Sequence, residues 1–294
     1  MGQKQHAGFI TIIGKPNAGK STLLNALLGQ KLAIVNPKAQ TTRHRILGIV
    51  NHNHCQMVFS DTPGIIQPSY KLQEEMMRKV TESMEDADVV ILLVDVNDAT
   101  LTDEVIEVLN TCNVPLILAV NKLDESDQAV ATEVINELKS RLDIADVIAL
   151  SAKHKFNVKG LLEIIGAHCP EHPMFYPEDQ LTDKTERFVA SEIIREKILT
   201  HYQQEVPYAV EVVIDSFREK KDLVKISAVI YVERNSQKVI LIGKNGLGLK
   251  RIGTEARKEM ETFLDCKVYL ELFVKIREKW RNDEQQLKRF GYGE

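Results

Sequence analysis

Apolar positions gather in short runs bounded by turn residues, at 9–13, 46–50, 56–59, 89–94, 116–120 and 147–150. The last three runs are continuously apolar, which is the pattern of strands covered on both faces. Between the runs lie stretches with helical spacing, at 21–28, 72–84, 102–109, 130–142 and 158–168. This alternation predicts an α/β domain with a largely parallel sheet over residues 1–168. Residues 169–183 break the rhythm with Pro170, Pro173, Pro177 and several acidic side chains, and read as an interdomain linker. The order then changes. A helix over 184–201, strands over 208–216 and 224–233, a glycine-broken helical pair and a strand over 266–275 predict a second, α+β domain over 184–294, with helices on one face of a small sheet.

Length and composition agree with two cores: 294 residues, 44% of them hydrophobic and 27% charged, are ample for two folded domains and argue against disorder. No apolar run approaches the roughly 18 residues of a membrane span, and Met1 to His6 lack the apolar stretch of a secretory signal, so a cytosolic location is expected. Cys55, Cys112, Cys169 and Cys266 are scattered, without the spacing of a zinc site, and are expected to be reduced and inert. The net charge of −4 divides unevenly. Residues 1–180 carry 16 Lys+Arg against 23 Asp+Glu, and the remainder carries 22 against 19. The second half is therefore the better suited to a polyanion, although its alternating signs also fit an ordinary solvated surface.

The chemistry begins with Gly14-Lys15-Pro16-Asn17-Ala18-Gly19-Lys20-Ser21, which fits G-x-x-x-x-G-K-[ST] between a predicted strand and a predicted helix opening at Ser21-Thr22. Glycines let backbone N–H groups wrap phosphates, the helix N-terminus adds positive potential, Lys20 reaches the outer phosphates, and the Ser21 hydroxyl can ligate magnesium. An accidental glycine-rich turn would not be expected in that context. Asn121-Lys122-Leu123-Asp124 ends a later strand, where the Asp124 carboxylate can accept two hydrogen bonds from guanine that adenine cannot offer. Such a site can reject the wrong base by about 10⁴ to 10⁵. Asp61-Thr62-Pro63-Gly64 lies between these motifs, and Ser151-Ala152-Lys153 follows the next strand, with a backbone N–H for the guanine carbonyl.

These motifs resemble the translation-factor class of P-loop GTPases over residues 8–168. The resemblance implies that Asp61 holds magnesium through water and that Gly64 contacts the γ-phosphate. It also places the first switch around Gln40-Thr41-Thr42-Arg43, where Thr42 is the favoured metal ligand, although adjacent threonines leave Thr41 open. Lys20, Thr42 and Gly64 are then the catalytic residues, and Ser21, Thr42 and Asp61 the metal set. Ile65 stands where Ras-like relatives have a water-orienting glutamine, so intrinsic hydrolysis is expected to be slow. Relatives with that replacement use an asparagine at the position of Asn17 to bind potassium; the alternative is a turn residue tolerating left-handed geometry.

In the second domain, Ile242-Gly243-Lys244-Asn245-Gly246 is a G-x-x-G loop between two short helices, preceded by two strands and followed by a helix bearing Lys250, Arg251, Arg257 and Lys258. Such a loop clamps about four nucleotides of single-stranded RNA. With Val232 to Lys238, Lys275 to Trp280 and the closing Phe290-Gly291-Tyr292, the chain resembles the Era family of bacterial GTPases almost end to end. That resemblance implies a P-loop GTPase domain followed by a KH (type II) domain, with GTP, GDP and magnesium as ligands. It further implies binding to the 3′ end of small-subunit (16S) ribosomal RNA, a role in small-subunit assembly, a cytoplasmic monomer, and loose peripheral contact with the inner face of the membrane. Two rivals remain at this point: a metabolic P-loop enzyme, and a signalling GTPase whose second domain binds protein.

Overall fold

The computed structural model describes residues 4–293; residues 1–3 and 294, at the ends of the two expected domain ranges, lie outside it. The chain divides into two units. The first comprises the chain up to Ala33, Thr42–Gln67 and Met76–Asp183, and the second comprises Ile34–Thr41, Pro68–Glu75 and the chain from Lys184 onward.

In the first unit, β1 (His6–Ile13), β2 (Ile46–His52), β3 (Cys55–Asp61), β4 (Val89–Asp95), β5 (Leu116–Asn121) and β6 (Asp146–Ala149) form one sheet in the order β2-β3-β1-β4-β5-β6. Only β2 runs antiparallel, joined to β3 by Asn53 and His54, both at positive φ, as a two-residue hairpin with right-handed twist requires. Helices α1 (Lys20–Leu28), α2 (Lys71–Glu85), α3 (Asp103–Asn110), α4 (Gln128–Lys139) and α5 (Val158–His168) occupy the crossovers. Strand β4 is buried along Val89 to Val94, which explains its unbroken apolar run. The parallel register pairs Ile12 with Asp61, Asp95 with Asn121 and Val120 with Ala149, so the strand ends that precede the motifs share one rim of the sheet. Loops beyond the carboxyl ends of such strands are where α/β sheets bind ligands.

The segment read as a linker is laid along this same sheet. Ala7 N–H donates to the Pro170 carbonyl, Ile49 N–H to Leu181, and the buried Gln56 Oε1 accepts from the N–H groups of Phe175 and Tyr176 at 2.8 and 2.9 Å. Phe175 also packs on Phe9, with ring centroids 4.7 Å apart. Prolines break its periodicity, yet its backbone groups find partners on β1 to β3. All four cysteines are free thiols, and Cys55 and Cys169 are buried inside the unit.

In the second unit, α6 (Glu186–His201), β7 (Glu211–Lys220), β8 (Leu223–Val232), α7 (Asn235–Ile242), α8 (Leu247–Leu264), β9 (Lys267–Ile276) and α9 (Glu284–Arg289) follow in chain order. Strands β7 and β8 pair antiparallel, whereas β8 and β9 pair parallel, so the α7–α8 pair serves as their crossover. The apolar faces of α6 and α8 cover the sheet with Ile194, Ile198, Ile252, Ala256 and Met260. Trp280 is fully buried, its indole N–H donating to the Ala209 carbonyl at 3.0 Å.

Candidate functional site

The loop from Gly14 to Gly19 requires its glycines. A Cβ on Gly14 would meet the Leu93 carbonyl at 2.2 Å, and one on Gly19, which has φ +101°, would meet Asn121 Nδ2 at 2.3 Å. Asn17 sits at φ 66°, and Ala18 N–H closes the turn onto the Lys15 carbonyl. Gly19 caps α1 without a side-chain hydrogen bond, so the helix presents backbone donors and the positive end of its dipole to the loop. Thr22 is half-buried in the first turn. The Lys20 ammonium donates to the carbonyls of Gly14 (2.9 Å) and Lys15 (2.8 Å). Burial lowers its pKa to about 8, against the pull of Asp61. Lys15 pairs with Asp98 at 2.6 Å. The second loop is pressed against the first: a Cβ on Gly64 would lie 2.8 Å from Pro16 N, and Ile65 N–H donates to the Gly14 carbonyl. Thr62 hydrogen-bonds the Ile12 carbonyl at 2.8 Å, and Pro63 beside it is buried.

Three oxygens meet beside Lys20. Ser21 Oγ donates to Asp61 Oδ2 at 2.8 Å and lies 2.9 Å from Thr42 Oγ1, and Thr42 Oγ1 donates to the same Oδ2 at 3.3 Å. Asp61 is fully buried and its other oxygen, Oδ1, has no partner. Burial raises the Asp61 carboxyl to about 6, although Ser21, Lys20 and Thr42 all favour its charged form. Thr41 is turned elsewhere, its hydroxyl donating to the Lys38 carbonyl at 2.5 Å. An orphaned buried carboxylate oxygen beside two hydroxyls is a hard-oxygen donor set of the kind magnesium selects. Ile65 offers no hydrogen bond there; it lines a cavity of about 560 Å³ with Ile66, Met77, Val80, Leu101 and Val105.

Asn121 has a role its motif does not advertise. Its Nδ2 donates to the Ala18 carbonyl at 2.8 Å and its Oδ1 accepts from Ala152 N–H at 2.9 Å, which ties three loops together. Lys122, at φ 66°, reaches Asp95 at 2.5 Å. Asp124 accepts from Ser151 Oγ at 2.6 Å, and this bond holds its carboxyl below the ordinary value, helped by His154 and Lys153. Sequence motifs pointed to neither Asp95, Asp98 nor His154; for the first two, the acidic residues at and just after the end of β4 were the available signal.

In the second unit, Gly243 and Gly246 have φ of 72° and 77°, with Asn245 between them at 52°. Nothing lies within 4 Å of a Cβ built on Gly246, so that face of the loop is open. Lys244, Asn245, Lys250 and Arg251 are exposed, and Ile242 is half-buried. Val239, Ile240 and Leu247 expose apolar surface beside the loop. Arg251 is shared with Glu255, at 3.2 Å, and Arg257 pairs with Glu261 at 2.8 Å, so part of the basic helix is internally neutralised.

Comparison with known proteins matches residues 9–122 to a family described as 50S ribosome-binding GTPase, and residues 205–281 to the KH domain. The GTPase Era of Geobacter metallireducens is 45% identical over 290 residues, covering 97% of both chains. That of Clostridium kluyveri is 44% identical over 97% of this chain and 99% of its own. Among solved structures, Era in complex with MgGDPNP and nucleotides 1506–1542 of 16S ribosomal RNA superposes with a TM-score of 0.93 at 37% identity, covering 99% of this chain and 100% of that one. A tyrosine-to-alanine variant of Aquifex aeolicus Era bound to GDP and AlF4⁻ does so with a TM-score of 0.93 at 36% identity and the same coverage. The chain belongs to the Era family of GTPases.

Proposed function

We propose that this chain is a GTP-hydrolysing switch that binds the 3′ end of small-subunit ribosomal RNA and serves small-subunit assembly. The observation that carries the reading is the convergence of Ser21, Thr42 and Asp61, with its unpartnered Oδ1, beside Lys20 at the N-terminus of α1. Residues 14–22 and 61–64 hold the phosphates, with Ser21, Thr42 and Asp61 as the magnesium set. Magnesium, when bound, adds positive charge to the phosphates. Lys20 and the α1 N-terminus act on the same charge, and Gly64 brings a backbone N–H close because no side chain intervenes. Asn121, Lys122, Asp124, Ser151, Ala152 and Lys153 form the guanine side, where the Asp124 carboxylate stays ionised and able to accept. With Ile65 in place of a water-orienting glutamine, hydrolysis is slow and limited to positioning and electrostatics. Asn17 is assigned to potassium on its exposed side-chain oxygen; its left-handed φ of 66° is what the turn-residue alternative expects, and the two are separated by the salt comparison below.

The RNA-binding residues are Ile242, Gly243, Lys244, Asn245, Gly246, Lys250 and Arg251. This assignment divides the sequence into a GTPase domain (1–168), a connecting segment (169–183) and a KH domain (184–294). A cytoplasmic monomer with peripheral contact at the inner membrane face completes the reading; among the described residues no helix is long and apolar enough to cross a membrane. The test is titration of the full chain with a short RNA of the small-subunit 3′ sequence and a scrambled one, at several salt concentrations. Preference for the former by tenfold or more, alongside GTP hydrolysis, is expected. Equal, salt-governed binding of both would instead favour a second domain that recognises protein.

A further inference from the structure

The three-stranded sheet of the second unit carries its helices on one face. A Cβ on Gly253 of α8 would meet Leu272 Cδ1 at 3.3 Å, so the even-numbered positions of β9 face the helices and the odd-numbered ones face away. The register assembles that outer face in rows across β7, β8 and β9. They are Lys220, Leu223 and Lys267; Arg218, Lys225 and Tyr269; Ser216, Ser227 and Glu271; Val213, Val229 and Phe273; and Glu211, Tyr231 and Lys275. The C-terminal segment closes the last row, where Phe290 packs on Tyr231 with ring centroids 5.2 Å apart and Tyr292 OH donates to the buried Glu211 at 2.7 Å. Beyond that row, Tyr269 and Phe273 are each 50% exposed. They stand four residues apart on β9, on the order of 13 Å along the strand, far enough for each ring to take its own neighbour.

A solvated sheet face is ordinarily lined by polar side chains, so two open rings there call for a partner. The charges around them say of what kind. Arg218, Lys220, Lys225, Lys267 and Lys275 are exposed on this face, against the exposed carboxylate of Glu271, which already accepts from the Tyr269 hydroxyl at 3.2 Å. Asp215 lies at the bulge where β7 loses register, outside these rows. Lys225 Nζ stands 5.7 Å from the Tyr269 ring centroid, which puts a cation beside the place where a stacked group would sit. The core of a protein interface is depleted in charge, and in lysine above all. Single-stranded nucleic acid fits both features, because its phosphates seek cations and its bases stack on aromatic rings. We propose that the outer face of this sheet is a second RNA-binding surface, distinct from the G-x-x-G loop. On it Tyr269 and Phe273 stack bases of a single strand, and Arg218, Lys225 and Lys267 meet its phosphates. The inference rests on the reading of the second unit as an RNA-binding domain and extends it.

The test uses the full chain carrying Gly246→Asp, which disables the G-x-x-G loop, titrated at low salt with two probes. One is a uridylate dodecamer; the other is an abasic dodecamer with the same number of phosphates. A thermal melt verifies each variant, and the half-exposed rings can be truncated without opening the core. The Gly246→Asp chain should bind the uridylate at least fivefold tighter than the abasic strand. Adding Tyr269→Ala and Phe273→Ala should remove that preference and weaken uridylate binding tenfold or more, since stacking on each ring contributes roughly fivefold or more. Adding Lys225→Gln and Lys267→Gln in their place should lower the slope of log affinity against log salt by about 1.4, or about 0.7 for each lost phosphate contact on a single strand. Equal binding of the two dodecamers marks a polyanion surface only and overturns the proposal. So does uridylate binding that the folded aromatic variant leaves unchanged. A Gly246→Asp chain that binds no uridylate also overturns it and leaves the face to a protein partner. The proposal and the reading beneath it fail separately: a parent chain with no preference for the small-subunit 3′ sequence sinks that sequence assignment, whereas the dodecamer comparison asks nothing of sequence.

Discussion

Asp61→Asn should stabilise the nucleotide-free, magnesium-free protein at neutral pH while removing its response to magnesium. The Asp61 carboxyl is fully buried, accepts hydrogen bonds at one oxygen only, and titrates at about 6 in place of 3.8. A carboxyl raised in the folded state binds its proton more tightly there than in the unfolded chain. Its cost is therefore absent below about pH 4, grows as pH rises, and is complete above about 6. Roughly two pH units at about 1.4 kcal/mol each give a cost of about 3 kcal/mol at pH 7. Asparagine is neutral throughout and its carbonyl can still accept from Ser21. Its amide, however, lacks a sure acceptor, which returns about 1–2 kcal/mol. The net gain should be about 1–2 kcal/mol, or about 2–8 °C in melting temperature for a unit of this size. Melts of parent and variant in a chelator between pH 4 and 7.5 measure it. The advantage should shrink towards zero at pH 4 and reverse when magnesium and GDP are added. A variant less stable than the parent at pH 7.5, or a difference independent of pH, would refute the burial argument.

The lowered Lys20 ammonium, at about 8, predicts that GDP binding without magnesium at pH 8 takes up about half a proton as the phosphates restore its charge, falling towards zero at pH 6.5. Calorimetric titration in buffers of differing ionisation enthalpy reads this directly. Asp124→Asn should weaken GTP binding by at least a hundredfold and favour xanthosine triphosphate, whose extra carbonyl suits the amide; unchanged GTP affinity in a titration would dismiss the guanine assignment. Gly246→Asp should cost the full chain tenfold or more in RNA affinity and leave GTP binding within twofold. The added carboxylate faces open space beside the loop rather than a packed neighbour, and a melt checks the strain of its φ of 77°. Hydrolysis should run faster in potassium than in sodium, and Asn17→Ala should erase the difference; matched rates in the two salts would leave Asn17 a turn residue.

Contiguous signals carried most of the fold and the outline of the site. The unbroken apolar runs of β4 and β5, the glycines at 14 and 19, and the motifs at 61–64, 121–124 and 151–153 act through local backbone geometry, which neighbouring residues impose. Sequence alone thus determined an α/β unit with phosphate and guanine loops, and a second unit with an open G-x-x-G turn. Tertiary structure decided everything that depends on distant partners. Prolines made 169–183 read as a linker, but its Phe175 and Tyr176 N–H groups donate to Gln56, about 120 positions away, and its Pro170 and Leu181 carbonyls accept from β1 and β2. Asn121 joins Ala18 to Ala152, and the Thr42 rather than the Thr41 hydroxyl faces Asp61. Glu192, Arg195 and Glu196 of α6 are buried, and Arg195 finds its partners in Glu192 and in the carbonyls of residues 40 and 41. A hydrogen bond or a desolvation cost is a property of whichever atoms the fold brings within about 3 Å, and no spacing along the chain encodes that list.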